Sequence, residues 1–550
     1  MKSSIKYIPF KKAVVRTPLL PLSIIFELTE KSKENSEIFE IYLKEIFNQP
    51  LLKESIFLAS PILYEEAIKW LTNSIDSNKE KDRIKLSLIR YLLRMSSRCT
   101  PFGLFAGCSI AEISQIETNI YLSEQKDYYR HTRLDMMYLC NLSLEILKNE
   151  GIKKNLRYFA NSSIYPSGKQ LRYVEFRFVN SRRNHFLVQV EDSAYLQLVL
   201  NEASNGNKQP QQLAESISKY DPEISIEEAY EFIDNLIDAQ VLVSELEPSV
   251  TGQEYIDCLI EIIGQIPEAN EFYETLIKIQ DKIKIIDSKS PGVEIGIYKE
   301  VIELANQLKI PFETKFLFQT DLIKPITTSN ISQDIVNEII EGITVLGKFS
   351  RLPKTTNLSL FINNFIERYE EREVSLLEVL DNETGIGYIQ NNNRGDINPL
   401  VDDLAIQRSN PLEIEWSKKN SFLLKKYIEC TKTSGSEIVI SEKDIEHFHS
   451  DLTDLPETMA ALVSIIPDHN GDRKIIISNI GGSSAANLLG RFCHSDSKIY
   501  QFTKEITERE HLDNEDKIIA EIVHLPESRT GNILLRPNLR KYEIPFLAKL

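Results

Sequence analysis

Apolar positions between residues 36 and 98 recur every three or four residues, the spacing of an amphipathic helix. SEIFEIYLKEIFNQ (36–49), PILYEEAIKWLTNSI (61–75) and KDRIKLSLIRYLLRMSSR (81–98) each carry such a stripe. VVRTPLLPLS (14–23) ahead of them is an extended, Pro-punctuated entry, and TPFGLFAGCSIAEI (100–113) after them is Gly-punctuated and then strand-like. From residue 158 the pattern changes. QLRYVEFRFV and HFLVQV are strand-like runs about the polar turn NSRRN, which predicts a hairpin. SAYLQLVLNEAS, QPQQLAESISKY and SIEEAYEFIDNLIDAQ follow as three helices, and VLVSEL as a closing strand. A hairpin, three short helices and a strand predict a winged-helix module over about 158–246, with SVTGQ (249–253) as a linker. Residues 254–370 read as mostly helical, and NETGIGYIQNNNRGD (382–396) as a Gly/Asn-rich surface loop. EIVISEKDIEHF, ALVSIIPDHNGDRKIIISNIGGSSAANLLGRF and IIAEIVHL suggest sheet with intervening helices. The fold class is α+β and multi-subdomain. The expected division is 1–157, a winged-helix element at 158–248, and 254–550.

Composition narrows this picture. A chain of 550 residues is too long for one ordinary core. Its 42% hydrophobic and 26% charged residues are those of a globular protein. No apolar run reaches the length of a membrane span, and no signal peptide is evident, so a cytoplasmic location is expected. Six scattered cysteines without a CxxC pair, and few histidines, argue against a zinc site or a disulfide framework. Cys99, in a basic setting, reads as a nucleophile or as a plain buried thiol, the second being the simpler. The net charge of −17 argues against a protein that coats nucleic acid, while a local basic patch could still take tRNA.

That patch is RYLLRMSSRCTPFGLFAG (90–107). Arg90, Arg94 and Arg98 recur every four residues, with Arg83 two turns earlier, beside an apolar face of Ile84, Leu88, Tyr91 and Met95. Like charges at this spacing repel, and no acidic residue of the helix relieves them, so either a polyanion or distant carboxylates must. Thr100-Pro101 should end the helix. The turn after it could hold a phosphate or carboxylate, or could be an ordinary connection. Asp135 opens LDMMYLCNL and reads as a helix N-cap, as a partner for an amino group or arginine, or as both. His494 could move a proton or be a buried structural histidine.

The stretch RxxxRxTPFGLFAG strongly resembles a motif of LanB-type lantibiotic dehydratases. Further stretches resemble that family in the same order: VVRTPLLP (14–21), RLDMMYL (133–139), RYEEREVSLLEVLDNETGIGY (368–388), GGSSAANLLGRFCH (481–494) and TGNILLRPNLRKYEIPF (530–546). The resemblance implies transfer of glutamate from glutamyl-tRNA, a co-substrate, to Ser and Thr hydroxyls of a leader-bearing precursor peptide, with no bound cofactor or metal. It assigns catalytic roles to Arg94, Arg98, Thr100, Asp135 and Arg491. Arg16, Arg529, Arg536 and Arg540 are basic positions in the matching motifs, and with Arg83 and Arg90 of the stripe they are expected to bind tRNA or glutamate. It implies that the winged-helix element binds the leader peptide by strand addition; its acidic second and third helices argue against DNA. Family glutamylation domains continue beyond RPNLRKYEIP, whereas this chain stops at Leu550, so it is expected to be a fragment or one part of a split enzyme, with a separate elimination protein and a cyclase as partners and a homodimer left open. Two other readings stay open: a ligase that extends peptides from aminoacyl-tRNA, and a non-catalytic leader-docking subunit.

Overall fold

The computed structural model describes residues 7–179, 182–204, 208–349, 356–388, 416–433, 435–448, 455–467 and 473–547. In chain order the strands are β1 (Lys12–Pro18), β2 (Gly103–Ser114), β3 (Asn119–Leu122), β4 (Tyr129–Leu134), β5 (Tyr158–Ala160), β6 (Tyr165–Ser167), β7 (Gln170–Val179), β8 (Arg182–Glu191), β9 (Leu242–Ser244), β10 (Phe318–Ile323), β11 (Ile326–Ser332), β12 (Ala460–Pro467), β13 (Arg473–Gly481), β14 (Ala520–Val523) and β15 (Tyr542–Pro545). The chain divides into two compact units. One comprises Met1–Ile8, Asp334–Pro456 and Ala461–Ile480; the other comprises Pro9–Gln333, Glu457–Ala460 and Gly481–Leu550.

The larger unit is built on a six-stranded mixed sheet of order β3-β11-β2-β10-β4, with β1 also paired to β2. β1 runs antiparallel to β2, and β10 and β11 run parallel to it. β2 sits centrally because it is apolar on both faces: Leu104, Phe105, Ala106, Cys108 and Ala111 are all buried. Helices Ser36–Asn48, Pro50–Ala59, Pro61–Leu71 and Asn78–Ser97 pack on it around Leu43, Leu52, Trp70, Ile84, Leu88, Leu92 and Met95. Their starts are chemically specified. Asn35, Ser60 and Ser77 cap three of them through side-chain oxygens, and Pro50 and Pro61 occupy first-turn positions where no N–H is needed.

The expected hairpin is present as β7 and β8, with β6 on the far side of β7; residues 180 and 181 of its turn lie outside the described residues. The helices Ala194–Ser204, Pro210–Tyr220 and Ile226–Asp238 and the strand β9 follow in the expected order, and β9 pairs with β5.

Two expectations need correction. Residues 249–253 are no linker: Val250 and Thr251 are buried, the Arg536 N–H donates to the Val250 carbonyl, and Gly252 N–H donates to the Arg536 carbonyl. The stretch 254–370 is mostly helical, as expected, with β10 and β11 set within it. EIVIS (437–441) forms no strand and leads directly into the short helix Glu442–Ile445.

In the smaller unit, the rings of Phe349, Phe422 and Phe448 lie 5.3–6.1 Å apart in a small aromatic cluster. Asp381 accepts from the Glu383 N–H at 2.7 Å, and Arg368 donates to the carbonyls of Thr384 and Gly385, which organises NETGIGY. Residues 389–396 of the expected loop lie outside the described residues. Strand β12 pairs with β13. Among the described residues, no helix is long and apolar enough to cross a membrane.

Candidate functional site

The helix Asn78–Ser97 turns its apolar stripe inward, so its arginines must face out. Arg83 and Arg90 are exposed and Arg94 is half-buried, its guanidinium 4.2 Å from the Phe102 ring centroid. The helix stops at Ser97. Arg98 is the C-cap, with extended backbone, and so leaves the helical stripe. One acid from outside the helix relieves the stripe at one end, since Glu66 pairs with Arg83 at 2.6 Å. Among the described residues, Arg16, Arg90, Arg94 and Arg98 have no carboxylate partner. Cys99 and Thr100 are exposed as well, which corrects the simpler reading of Cys99 as a buried thiol. Partial desolvation raises the Cys99 pKa against the opposing pull of Lys324 and Arg16, so it is not an activated thiolate.

The turn after Thr100 ends at Gly103, whose φ of +52° is easiest for glycine. Gly103 is in register with Asp321 of β10. Asp321 is 1% exposed and lies opposite His131 and diagonal to Arg133 across the β4–β10 ladder. Its carboxylate joins two guanidiniums: Arg133 Nη2 at 3.1 Å and Arg491 Nη2 at 2.5 Å. Neither arginine is saturated. Arg133 Nε and Nη1 and Arg491 Nε are buried without a hydrogen-bond partner among the described residues. Arg491 is brought there by a short 3-10 turn, Gly490–Phe492.

Beside this cluster, Glu254 stands 3.9 Å from Arg133 and 2.5 Å from His131. Burial alone would lower the His131 pKa, but the Glu254 contact reverses the sign and raises it; against its own burial, the same contact lowers Glu254. Asp287 accepts from the Thr132 N–H at 2.8 Å, and burial pushes its pKa up to about 6. Arg130 is buried against Glu54 at 3.2 Å. His494 is half-buried with Nε2 unpartnered, and burial lowers its pKa, which favours the neutral ring.

Asp135 caps the helix Met136–Leu147 through the Met137 N–H at 2.8 Å. Its other oxygen accepts from Asn532 at 2.8 Å and lies 3.6 Å from Arg529 Nε. Burial raises its pKa although these donors oppose the shift. Arg529 rests 3.6 Å from the Phe316 ring centroid and keeps 45% of its side chain exposed. Gly531 is required here, because a Cβ would meet Met136 Cγ at 2.5 Å. The guanidinium of Arg536 is occupied by Glu521 at 2.7 Å and by the Leu534 carbonyl, and that of Arg540 by Glu510 and Glu521.

Stretches far apart in sequence thus meet in one place: the turn at 98–103, β4 with Asp135, β10, the turn at 490–492 and the segment 529–532. The residue pattern did not single out Asp321, Arg133, Glu254, Asn532 and Lys324. The signal available for two of them was QTDLIKP, where two charged residues flank the short apolar pair Leu322–Ile323. Among the described residues, no group of three or more His, Cys, Asp or Glu is placed to hold a metal.

A mixed sheet flanked by helices thus carries an arginine–aspartate cluster in which buried N–H groups of Arg133 and Arg491 have no hydrogen-bond partner among the described residues, an arrangement whose chemistry suits an anionic group. Residues 48–550 match the family described as "Lantibiotic dehydratase, N terminus", and the chain belongs to that family. It is 25% identical over 550 residues to the subtilin biosynthesis protein SpaB of Bacillus subtilis, covering 98% of this chain and 51% of that protein. It is 23% identical over 561 residues to the nisin biosynthesis protein NisB of Lactococcus lactis subsp. lactis, covering 99% and 52%. The chain therefore spans about half the length of these curated relatives. Among solved structures, it is similar to the tRNA-dependent lantibiotic dehydratase MibB from Microbispora sp. 107891, with a TM-score of 0.76 at 18% identity, covering 98% of this chain and 50% of that one. It is also similar to the glutamylation domain TbtB from thiomuracin biosynthesis, with a TM-score of 0.53 at 14% identity, covering 91% and 60%. These structural likenesses extend the mixed helix-and-sheet architecture across nearly the whole chain.

Proposed function

We propose that this chain transfers the glutamyl group of glutamyl-tRNA to Ser and Thr hydroxyls of a leader-bearing precursor peptide. The observation that carries the reading is the register of Gly103 with Asp321. It supports a site in which Arg94, Arg98 and Thr100, on the segment leading into Gly103, act with the Arg133–Asp321–Arg491 cluster, where Arg133 Nε and Nη1 and Arg491 Nε have no hydrogen-bond partner among the described residues. The donor ester is already activated, so the transfer needs alignment and oxyanion stabilisation more than a fuel. The peptide oxygen attacks the ester carbonyl, the carbonyl oxygen becomes an oxyanion, and the tRNA ribose oxygen departs with the proton. Arginine N–H groups suit the oxyanion, the glutamate carboxylate and the terminal phosphates alike. Asp135, with Arg529 and Asn532 around it, suits the glutamate α-amino group.

The region 158–248 is proposed as a winged-helix element for the leader. β8 is the edge of the β6-β7-β8 sheet, it exposes Phe186 and Leu187, and the following helices carry net acidic charge unsuited to DNA. Elimination of glutamate calls for a base at the α-carbon. That step is distinct from the transfer proposed for this chain, and a cyclase is proposed to act later, in a soluble cytoplasmic setting.

Incubating chain, glutamyl-tRNA and precursor peptide should add about 129 Da per modified hydroxyl, the mass of glutamate minus water in acyl transfer. Arg94→Ala and Arg98→Ala should each reduce the adduct by about 100-fold or more while melting like wild type. Adduct at wild-type level in both variants would overturn the assignment.

A further inference from the structure

The arginine–aspartate cluster leaves one cation over. Lys324 follows Asp321 by three residues at the end of β10 and is 2% exposed. Its ammonium donates to the Pro18 carbonyl at 2.6 Å and stands 5.2 Å from the Tyr128 ring centroid. Among the described residues no carboxylate pairs with it, because Asp321 is spent on Arg133 and Arg491. A buried ammonium without an anion is unfavourable, and folds that retain one usually use it. The backbone makes room for it: a Cβ on Gly107 would meet Lys324 Cγ at 2.8 Å. The groups facing it come from several elements. Cys99 in the turn feels both Lys324 and Arg16, Tyr128 precedes β4, and Asp321 lies on the same strand. Arg16 itself lies on β1, two residues before the carbonyl that Lys324 holds.

We propose that Lys324 is a positioning residue for an anion: it fixes the Arg16–Pro18 end of β1 near the Arg98–Gly103 turn and forms the buried part of a cationic seat completed by the half-buried Arg16 and the exposed Arg98. The ligand chemistry is a phosphate or carboxylate oxygen. If the seat serves glutamylation, which rests on the reading above, the anion is a phosphate of the tRNA end or the glutamyl carboxylate. Burial lowers the lysine pKa to about 8, with only Cys99 opposing. Lys324 should therefore be charged at neutral pH and neutral well above it, while Arg16 and Arg98 stay cationic.

The test titrates the full chain, by calorimetry, with inorganic pyrophosphate and separately with free glutamate, between pH 6.5 and 9.5. Wild type should bind one of them, with affinity falling about tenfold as pH rises through about 8. Lys324→Met should bind about tenfold more weakly at pH 7 and lose the pH step. Lys324→Arg should bind at pH 7 and stay flat, because its guanidinium remains charged. Preference for pyrophosphate points to the nucleic-acid backbone, and preference for glutamate to the amino acid. Equal affinity of wild type and Lys324→Met at pH 7, or no binding of either probe by wild type, overturns the proposal. If Lys324→Met does not fold, a pH step that persists in Lys324→Arg overturns it and a flat profile upholds it. Adduct formation separates the two readings. A lysine-dependent seat without any glutamyl adduct in wild type leaves the seat standing and removes glutamylation. Equal adduct in wild type and Lys324→Met removes the positioning role.

Discussion

Asp321 carries more of the site than any other single residue, because one buried carboxylate neutralises two guanidiniums. Asp321→Asn would leave the half-buried Arg491 without its carboxylate and the buried Arg133 with Glu254 alone at 3.9 Å, a cost of about 3–5 kcal/mol. Urea unfolding at pH 7 should show that loss, and a melt unchanged from wild type would mean the cluster is more hydrated than its burial indicates. Asp287 acts in the opposite sense. Its folded pKa is raised from 3.8 to about 6, so the fold prefers its neutral form. Stability from this group is present below pH 3.8 and is lost as pH climbs through 6, on the order of 2–3 kcal/mol. Asp287→Asn retains the acceptor for the Thr132 N–H and should abolish that slope in denaturation midpoints measured from pH 4 to 8. Not all of this was legible in the chain. Arg94, Arg98 and Asp135 stand in dense local patterns that announce themselves. Asp321 does not, because its partners are 188 and 170 residues away and no local spacing encodes them.

At the scale of elements, helical stretches were the most legible, since an amphipathic repeat decides both type and buried face within a few turns. The helix Asn78–Ser97 buries Ile84, Leu88, Leu92 and Met95 as its stripe requires. β10 and β11 were missed because FQTDLI and ITTSNIS mix polar and apolar residues without clean alternation. The sheet supplies what the pattern lacks, by pairing both strands with β2. EIVIS failed the other way: among the described residues no strand pairs with this β-branched run, and it stays irregular. For the hairpin, strand addition at the β8 edge can be tested directly. Leu187→Asp changes an exposed side chain without disturbing the core, and it should weaken leader binding about tenfold in fluorescence anisotropy while leaving thermal stability within a degree or two. Unchanged affinity would place the leader elsewhere.

At the scale of the whole molecule, the least legible feature was how the chain returns on itself. SVTGQ has the composition of a linker, yet it is buried because Arg536 reaches it from nearly 300 residues further on. Asp135 and Asn532, which complete each other's hydrogen bonds, are 397 residues apart. On a ribosome adding about 5–20 residues per second, the first is made on the order of 20–80 s before the second. Through that interval the nascent chain carries an unfinished sheet edge, a carboxylate without its amide partner and arginines without Arg491 to share their counter-ion, the state in which chaperones find their clients. Translation order therefore sets when the cluster can close. Because 490–492 and 529–532 complete it, a polypeptide released before them lacks both Arg491 and Asn532 and, on the proposed reading, has no partly built site to engage charged tRNA.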